Sequence, residues 1–228
     1  MSCSKNVKER KYRGYSMTDT LFLERKKILA HRTIFIKIKG KVIDDISVFR
    51  NYYEREKNEN ACKEGCPNYG NKWSCPPYSK SFLNSGKHYS KACLLCFSTE
   101  MEYYSDIKNK YLAVKAANVT LKTLIEKCAR SIEEYTNGYS LLSGSCRLCK
   151  PCQCKIKQPC KNPDKMRYSM EAMGLNVQKL CFDFLEHSLL WYENKKVPQY
   201  TSVAVLILFN QHFDINELSI IINKTIER

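Results

Sequence analysis

Five cysteines lie within fifteen residues in the second half of the chain: Cys146, Cys149, Cys152, Cys154 and Cys160. Neither an ordinary hydrophobic core nor a disulfide pattern requires thiols at this density. Deprotonated cysteines are the ligands that hold structural zinc and iron–sulfur clusters in proteins. The segment is therefore interpreted as a loop that binds a metal cluster.

The spacing of the first three of these cysteines favours an iron–sulfur cluster. Cys146, Cys149 and Cys152 follow the C-x2-C-x2-C run with which bacterial ferredoxins hold a four-iron cluster, together with a more distant cysteine. Seven residues separate Cys152 from Cys160 where the ferredoxin run has three, so the match covers the triplet alone. Structural zinc usually takes its ligands as two spaced pairs, which makes a third cysteine at this interval surplus. Zinc and unligated thiols stay open as alternatives.

An earlier group of thiols, Cys62, Cys66 and Cys75, has a less regular spacing and cannot be assigned from spacing alone. It lacks the C-x3-C-x2-C run expected of a radical SAM cluster, so that class is rejected. Prolines and a glycine around these cysteines predict a tight, irregular loop, whose backbone amides can hydrogen-bond to cluster sulfurs. Trp73 and Tyr69 either cover the site from water or pack as ordinary aromatic residues.

The number of ligands separates two kinds of chemistry. Seven thiols, without Cys154, complete one four-thiolate cluster and leave a second with three protein ligands and an open iron. With Cys154 as an eighth ligand both clusters are closed. A closed pair indicates electron transfer, whereas an open iron can act as a Lewis acid on a bound substrate. The sequence does not decide between them.

The remaining cysteines are expected to be structural. Cys93 and Cys96 lie three apart on a predicted strand and so point to opposite faces, and Cys128 and Cys181 fall on the apolar stripes of predicted helices. Cys3 is assigned no role. With thirteen cysteines in total, the odd number and a reducing cytoplasm both argue against a disulfide framework.

Two residues that are not cysteines are candidates near the thiols. Glu171 follows Ser169, a candidate helix cap, and could act as an acid or base, although a glutamate in a first helical turn is also favoured electrostatically. His88 is the candidate non-thiol ligand, and its alternative is an exposed histidine in a loop.

Composition predicts a soluble, cytoplasmic protein of one domain with a basic surface. The 228 residues carry a formal charge of +15 and include 43% hydrophobic residues, enough for a substantial core. No apolar stretch follows the basic start as a signal peptide would require, and the longest apolar run, residues 203–209, is too short for a bilayer. Two four-iron clusters of about −2 each would leave roughly +11. This excess of positive charge favours an acidic redox partner protein, a small anionic substrate or RNA as the binding partner. No membrane partner is expected.

Strands and helices that interleave along the chain predict an α/β fold, a layered sheet with flanking helices and the two cysteine segments, 62–77 and 144–163, as loops on its edge. The division is a basic N-terminal segment over 1–30 and one domain over 31–228. Expected strands cover residues 33–39, 91–98 and 201–209. Expected helices cover residues 18–30, a stretch after the cap Asp45, 104–135, a stretch after the cap Asn176, and a last helix after the capping box of Asp214 and Glu217.

Four segments, 66–77, 146–152, 159–160 and 168–174, together resemble an uncharacterised family of predicted metal-binding proteins (domain of unknown function 2284), common in anaerobes. The resemblance covers about residues 40–210. The resemblance implies that seven cysteines bind a metal in iron–sulfur form: Cys62, Cys66, Cys75, Cys146, Cys149, Cys152 and Cys160. It does not imply any particular reaction.

Three hypotheses follow from the sequence. The first is a protein with one or two [4Fe-4S] clusters that transfers electrons. The second is an enzyme that uses a three-cysteine cluster with an open iron, for example to insert or remove sulfur on a small or nucleotide-like substrate. The third is a zinc-stabilised RNA-binding module, which gains from the charge but lacks an RNA-reading motif. Whether the protein is an enzyme is left open.

Overall fold

Five strands form one antiparallel sheet in the computed structural model, which describes residues 20–227. The strand order across the sheet is β1-β2-β3-β5-β4. The strands are β1 (Thr20–Leu29), β2 (Arg32–Ile43), β3 (Lys91–Glu100), β4 (Tyr139–Leu141) and β5 (Tyr200–Phe209). This confirms the predicted layered α/β class.

Helices cover both faces of the sheet, because each face of its central strands is apolar. The α-helices of the described residues are α1 (Arg55–Gly65), α2 (Phe82–Ser85), α3 (Lys110–Tyr135), α4 (Val177–Leu185) and α5 (Ile215–Ile226), of which α1 buries no residue in either core. Helices α3 and α5 share one core with the sheet, whereas α4 and a 3-10 segment, Ile46–Tyr52, share the core on the other face. No helix within residues 20–227 is long and apolar enough to cross a membrane.

The two central strands, β3 and β5, are buried on both faces, as their continuous apolar sequences predict. Successive side chains of a strand point to opposite faces. Cys93 accordingly packs in the core under α3 and α5, while Cys96 packs in the core under α4. Cys128 and Cys181 are fully buried in these same two cores. The structural roles predicted for these four thiols are confirmed.

Helix ends agree with the predicted caps. The Asn176 side chain accepts a hydrogen bond from the Lys179 backbone N–H, and Asp214 with Glu217 forms a complete capping box. Asp45 caps the 3-10 segment that follows it. The long helix expected from residue 104 instead begins at Lys110, because Asn109 caps it. Residues 101–104 form a separate 3-10 turn.

The helix expected over residues 18–30 is wrong for the described residues. From Thr20 this stretch is strand β1, paired along its whole length with β2. Its side chains alternate between partly buried and exposed, but charged and apolar residues occur at both kinds of position. Arg25 and Lys27 are partly buried, whereas Phe22 and Ile28 are exposed, so the sequence carries no polar–apolar period of two. Residues 1–19, including Cys3, lie outside the described residues.

Gly40 does not end the second strand, which runs on to Ile43. A Cβ at Gly40 would lie 2.8 Å from Leu95 Cδ2 and 2.9 Å from Leu218 Cδ2. The glycine therefore gives α5 room to pack closely on the sheet.

Helix α3 returns the chain to the end of the sheet at which β3 begins. Lys91, the first residue of β3, pairs with Phe209, and Tyr139, which follows α3, pairs with Leu208. The first cysteine segment leads into β3, and the second follows β4. Both segments are thus delivered to one region of the molecule.

We expect Gly138→Ala to destabilise the fold. A Cβ at this position would lie 2.4 Å from the Leu208 carbonyl oxygen, a backbone atom of the central strand β5 that cannot move aside. The expected loss in the free energy of unfolding is about 2–3 kcal/mol, measured by urea denaturation. Gly65→Ala, where no atom lies within 4 Å of the added carbon, is the control. Equal stability of the two variants would contradict the close approach of residue 138 to β5.

Acid is expected to destabilise the protein through His187. Burial, with a smaller effect of Lys39, lowers the pKa of this histidine from 6.5 to about 4, and its Nε2 lies 2.8 Å from Ser202 Oγ. Above pH 6.5 both folded and unfolded states hold the ring neutral. As the pH falls towards 4, the unfolded state takes up a proton that the folded state does not, so stability falls, by at most about 3 kcal/mol.

Denaturation curves between pH 7 and 4 measure this loss. In His187→Gln the slope over this range should be shallower, whereas a variant of the exposed His31, His31→Gln, should keep the slope of the unsubstituted protein. An unchanged slope in His187→Gln would show that other groups cause the acid sensitivity.

Candidate metal centre

Four cysteines of the second segment line one small cavity: Cys146, Cys149, Cys152 and Cys160. The cavity is closed by Trp73 and Ser74 of the first segment, and by Leu148, Asn162 and Met166. Of the five thiols in this segment, the structure thus brings together the C-x2-C-x2-C triplet and the distant Cys160. The set of four is called the C-terminal thiol set.

Hydrogen-bond donors point at several of these sulfurs. Asn162 donates its side-chain N–H to Cys149 Sγ at 3.3 Å and its backbone N–H to Cys160 Sγ at 3.4 Å. Burial raises the pKa of Cys146, the nearby thiols of Cys160 and Cys149 act in the same direction, and the backbone N–H of Leu148 opposes them. Donors of this kind stabilise thiolates, which is the form that binds metal.

Helix α1 positions the first two cysteines of the other segment. Cys62 and Cys66 are four residues apart, and the Cys66 backbone N–H donates to the Cys62 carbonyl at the end of the helix, so both lie on one helical face. Burial raises the pKa of Cys75 to about 11, and the thiols of Cys66 and Cys62 add to this effect. The three thiols therefore lie in one neighbourhood and are called the N-terminal thiol set.

The two sets lie side by side. The Cys146 backbone N–H donates to Ser74 Oγ at 2.9 Å, and the same hydroxyl lies 3.8 Å from Cys75 Sγ. Lys72 Nζ donates to the Cys146 carbonyl at 2.6 Å. A single buried side chain, Ser74, thus contacts a cysteine of each set.

Backbone hydrogen bonds anchor the start of the first segment to the end of the second. The Glu54 N–H donates to the Gly174 carbonyl at 2.7 Å, and the Asn176 N–H donates to the Tyr52 carbonyl at 2.8 Å. Gly174 has a φ of +95°, and a Cβ there would lie 2.8 Å from the ring of Tyr53. The close approach that fixes α1 therefore depends on glycine at this position.

Cys154 lies apart from the cavity of the C-terminal thiol set. It is buried, and its thiol donates a weak hydrogen bond to the Gly70 carbonyl, with an Sγ–O distance of 3.7 Å. Burial raises its pKa, and the neighbouring Cys152 thiol acts in the same direction. In this arrangement the Cys154 thiol of the second segment contacts the first segment at Gly70.

The two aromatic candidates behave differently. Trp73 lines the cysteine cavity, stacks edge-on against Tyr78 and donates its indole N–H to the Gln158 carbonyl at 2.9 Å. Tyr69 lies instead beside α1, in a cavity that is lined by Glu59 and Lys63 among others. Of the two, Trp73 is the residue that covers the C-terminal thiol set.

The two candidates that are not cysteines, Glu171 and His88, lie in different parts of the structure. Glu171 is exposed, and its charge helps to raise the pKa of Cys62, after burial and the Cys66 thiol, so it lies near the N-terminal thiol set. Ser169 Oγ accepts a hydrogen bond from the Ala172 N–H, but it caps a turn and not a helix. His88 is exposed and lines a different cavity with Tyr89 and Lys80.

Sequence reasoning missed Ser74 and Asn162, which bind cysteines of the sites through hydrogen bonds. Each lies within two residues of a predicted ligand, Cys75 or Cys160, and that proximity is the one signal which could have pointed to them. No three His, Cys, Asp or Glu side chains within residues 20–227 are grouped so that they could hold a single metal ion.

Comparison with known proteins gives one finding. The family model described as "Predicted metal-binding protein (DUF2284)" matches residues 50–209. This range contains both thiol sets and the anchoring residues around Gly174. No curated protein and no solved structure matches the chain.

We expect Ser74→Ala to loosen the contact between the two thiol sets. The substitution leaves the Cys146 N–H without its acceptor, so amide hydrogen exchange over residues 144–150 should rise about tenfold or more. Mass spectrometry of the exchanged peptides measures this. Ser105→Ala, at an exposed serine whose hydroxyl forms no side-chain hydrogen bond within residues 20–227, is the control. Unchanged exchange in Ser74→Ala would mean that Ser74 does not hold Cys146.

Proposed function

The chain belongs to the family described as predicted metal-binding protein (DUF2284), and on that premise we propose that it holds iron–sulfur clusters on its two thiol sets and acts in electron transfer. One observation carries the proposal. Four thiols, three of them at the ferredoxin spacing, line a single cavity, with backbone and amide N–H groups directed at the sulfurs.

The C-terminal thiol set fits a four-thiolate cluster in its donor chemistry. Its residues Cys146, Cys149, Cys152 and Cys160 would be the ligands, and Asn162 would stabilise the negative charge on two sulfurs through its hydrogen bonds. An iron–sulfur cluster supplies one-electron redox chemistry, with a potential set by such hydrogen bonds and by solvent exposure. Trp73 and the buried Ser74 limit the access of water to this cavity.

The N-terminal thiol set supports a second site with three cysteine ligands. Cys154 is not counted among them, because its thiol is occupied as a donor to Gly70. Ser74 brings this set next to the other by contacting both Cys75 and Cys146. Redox groups that exchange electrons must lie close together, so this adjacency supports electron transfer more than two independent structural sites.

The surface around the C-terminal thiol set favours an acidic redox partner protein. Residues 144–163 contain five basic residues and no acidic residue. Four lysines of this segment are exposed: Lys150, Lys155, Lys157 and Lys161. A partner with a complementary negative surface would be steered towards this loop by long-range attraction, which weakens as salt is added.

The decisive measurement is the iron and acid-labile sulfide content of protein purified without oxygen. We expect a brown protein, with about four iron atoms and four sulfides for each occupied thiol set. Cys149→Ala removes a ligand from one set and should lower the iron content by about half if both sets are occupied. Cys128→Ala removes a thiol that is buried in the core under α3 and should leave the iron content unchanged.

Two outcomes would overturn the proposal. One is a colourless protein that contains stoichiometric zinc and no sulfide. The other is an equal loss of iron in Cys149→Ala and Cys128→Ala, which would attribute the loss to weakened folding.

A further inference from the structure

A cavity of about 730 Å³ adjoins the C-terminal thiol set and is not used by the proposed clusters. It is lined by the C-terminal half of α3, by residues 142–148, by Lys165 and Arg167, and by Thr225 of α5. Cys146 and Leu148 line both this cavity and the smaller cysteine cavity. The volume lies within the range of about 300–1,000 Å³ that is usual for sites of small-molecule ligands.

The charges that line this cavity are strongly unbalanced. Five basic side chains and one acidic side chain, Glu126, lie on its walls. The basic residues are Lys127, Arg130, Arg147, Lys165 and Arg167. A wall with one sign of charge raises the local concentration of ligands of the opposite sign.

The three arginines of the cavity form ion pairs with glutamates, whereas its two lysines do not. Glu133 binds Arg167 at 2.6 Å and Arg130 at 3.1 Å, and Glu126 binds Arg147 at 2.6 Å. Within residues 20–227 no carboxylate pairs with the ammonium groups of the cavity's two lysines, Lys127 and Lys165. These two are the charges most available to a ligand.

The turn before Cys146 adds backbone donors. Gly144 has a φ of +68°, the left-handed conformation found in backbone turns that bind anions. Over the described part of the chain, no protein acceptor is found for the backbone N–H groups of Ser143, Gly144 and Ser145. Lys122 Nζ approaches the same turn and lies 3.1 Å from where a Cβ of Gly144 would be. Amide donors and cations are thus gathered on one turn.

We infer that this cavity binds a small molecule that carries a phosphate or diphosphate group. Phosphate oxygens accept several hydrogen bonds at once, from guanidinium, ammonium and backbone N–H groups, and these are the donors that the cavity offers. Hydroxyls of Thr123, Ser143 and Ser145 and the apolar side chains of Leu142 and Leu148 are available to the rest of the ligand.

Single-stranded RNA fits the cavity less well than a small phosphorylated molecule. RNA-binding surfaces stack bases on aromatic side chains along an open groove. No aromatic residue of the described chain lines this cavity. Since Cys146 belongs to both cavities, a ligand bound here lies beside the C-terminal thiol set. The inference does not depend on which metal the thiols hold.

Isothermal titration calorimetry of the whole protein, purified without oxygen, tests the inference with ADP and with inorganic pyrophosphate as probes. We expect saturable binding of about one ADP per chain, weakening as salt is raised. Equal affinity for ADP and pyrophosphate would mean that the protein binds only the phosphate groups. Tighter binding of ADP would mean that it also contacts the nucleoside. Either result supports the inference.

Substitutions at the unpaired lysines locate the site. The double variant Lys127→Gln with Lys165→Gln should weaken ADP binding by about tenfold or more, because it removes the two cations that no carboxylate neutralises. The matched control, Lys108→Gln with Lys115→Gln, makes the same change of charge at exposed lysines outside the cavity and should weaken binding less than about twofold. Circular dichroism checks that both variants are folded.

Three results would overturn the inference: no saturable binding of either probe, equal weakening in the two double variants, or tighter binding of a single-stranded RNA oligonucleotide than of ADP. Iron and sulfide are measured on the same samples. A protein that contains zinc and still binds ADP would contradict the proposed clusters and support the phosphate site. A brown protein that binds neither ADP nor pyrophosphate would support the clusters and contradict the phosphate site.

Discussion

The backbone pairing between residues 52–54 and residues 174–176 is the constraint on which the candidate centre depends. It joins the entry to the first cysteine segment with the exit from the second, through the hydrogen bonds of Glu54 with Gly174 and of Asn176 with Tyr52. Beyond the end of α1, both segments are mostly irregular loops, and loops are in general more mobile than the elements that they connect. The sheet supplies rigid ends because its central strands are buried on both faces.

Within that frame, the loops are held by contacts that are individually weak. Ser74 with Cys146, Trp73 with Gln158 and Cys154 with Gly70 each contribute one hydrogen bond. A typical hydrogen bond adds only about 1 kcal/mol to stability, so these contacts leave the loops less stable than the core. A bound metal adds its binding energy to folding. If the thiol sets hold the proposed clusters, ligation would therefore stabilise these loops more than their own hydrogen bonds do.

The sequence predicted the strongly periodic elements and missed features that depend on distant parts of the chain. Strand β5, helix α4 and the capping box at Asp214 have complete local signals, and all three are confirmed. Strand β1 has no such local signal, because both of its faces mix charged and apolar residues, and its partly buried face packs only at the edge of the core. The thiol spacing indicated a metal centre, but the contacts of Ser74 and Asn162 with cysteines are set by folding, and no local pattern encodes them.

The structure shows where part of the chain's high positive charge lies. A basic composition alone is equally consistent with a solvated surface and with a binding site. Here five basic residues lie in the second cysteine segment without an acidic one, and Lys127 and Lys165 face the adjoining cavity without a carboxylate partner within residues 20–227. In the proposed cluster the four thiolates would be negatively charged, and cations around them would offset part of the cost of gathering these groups in one cavity. Arg147 belongs to both the segment and the cavity wall, so the basic surface around the C-terminal thiol set continues into the adjoining cavity.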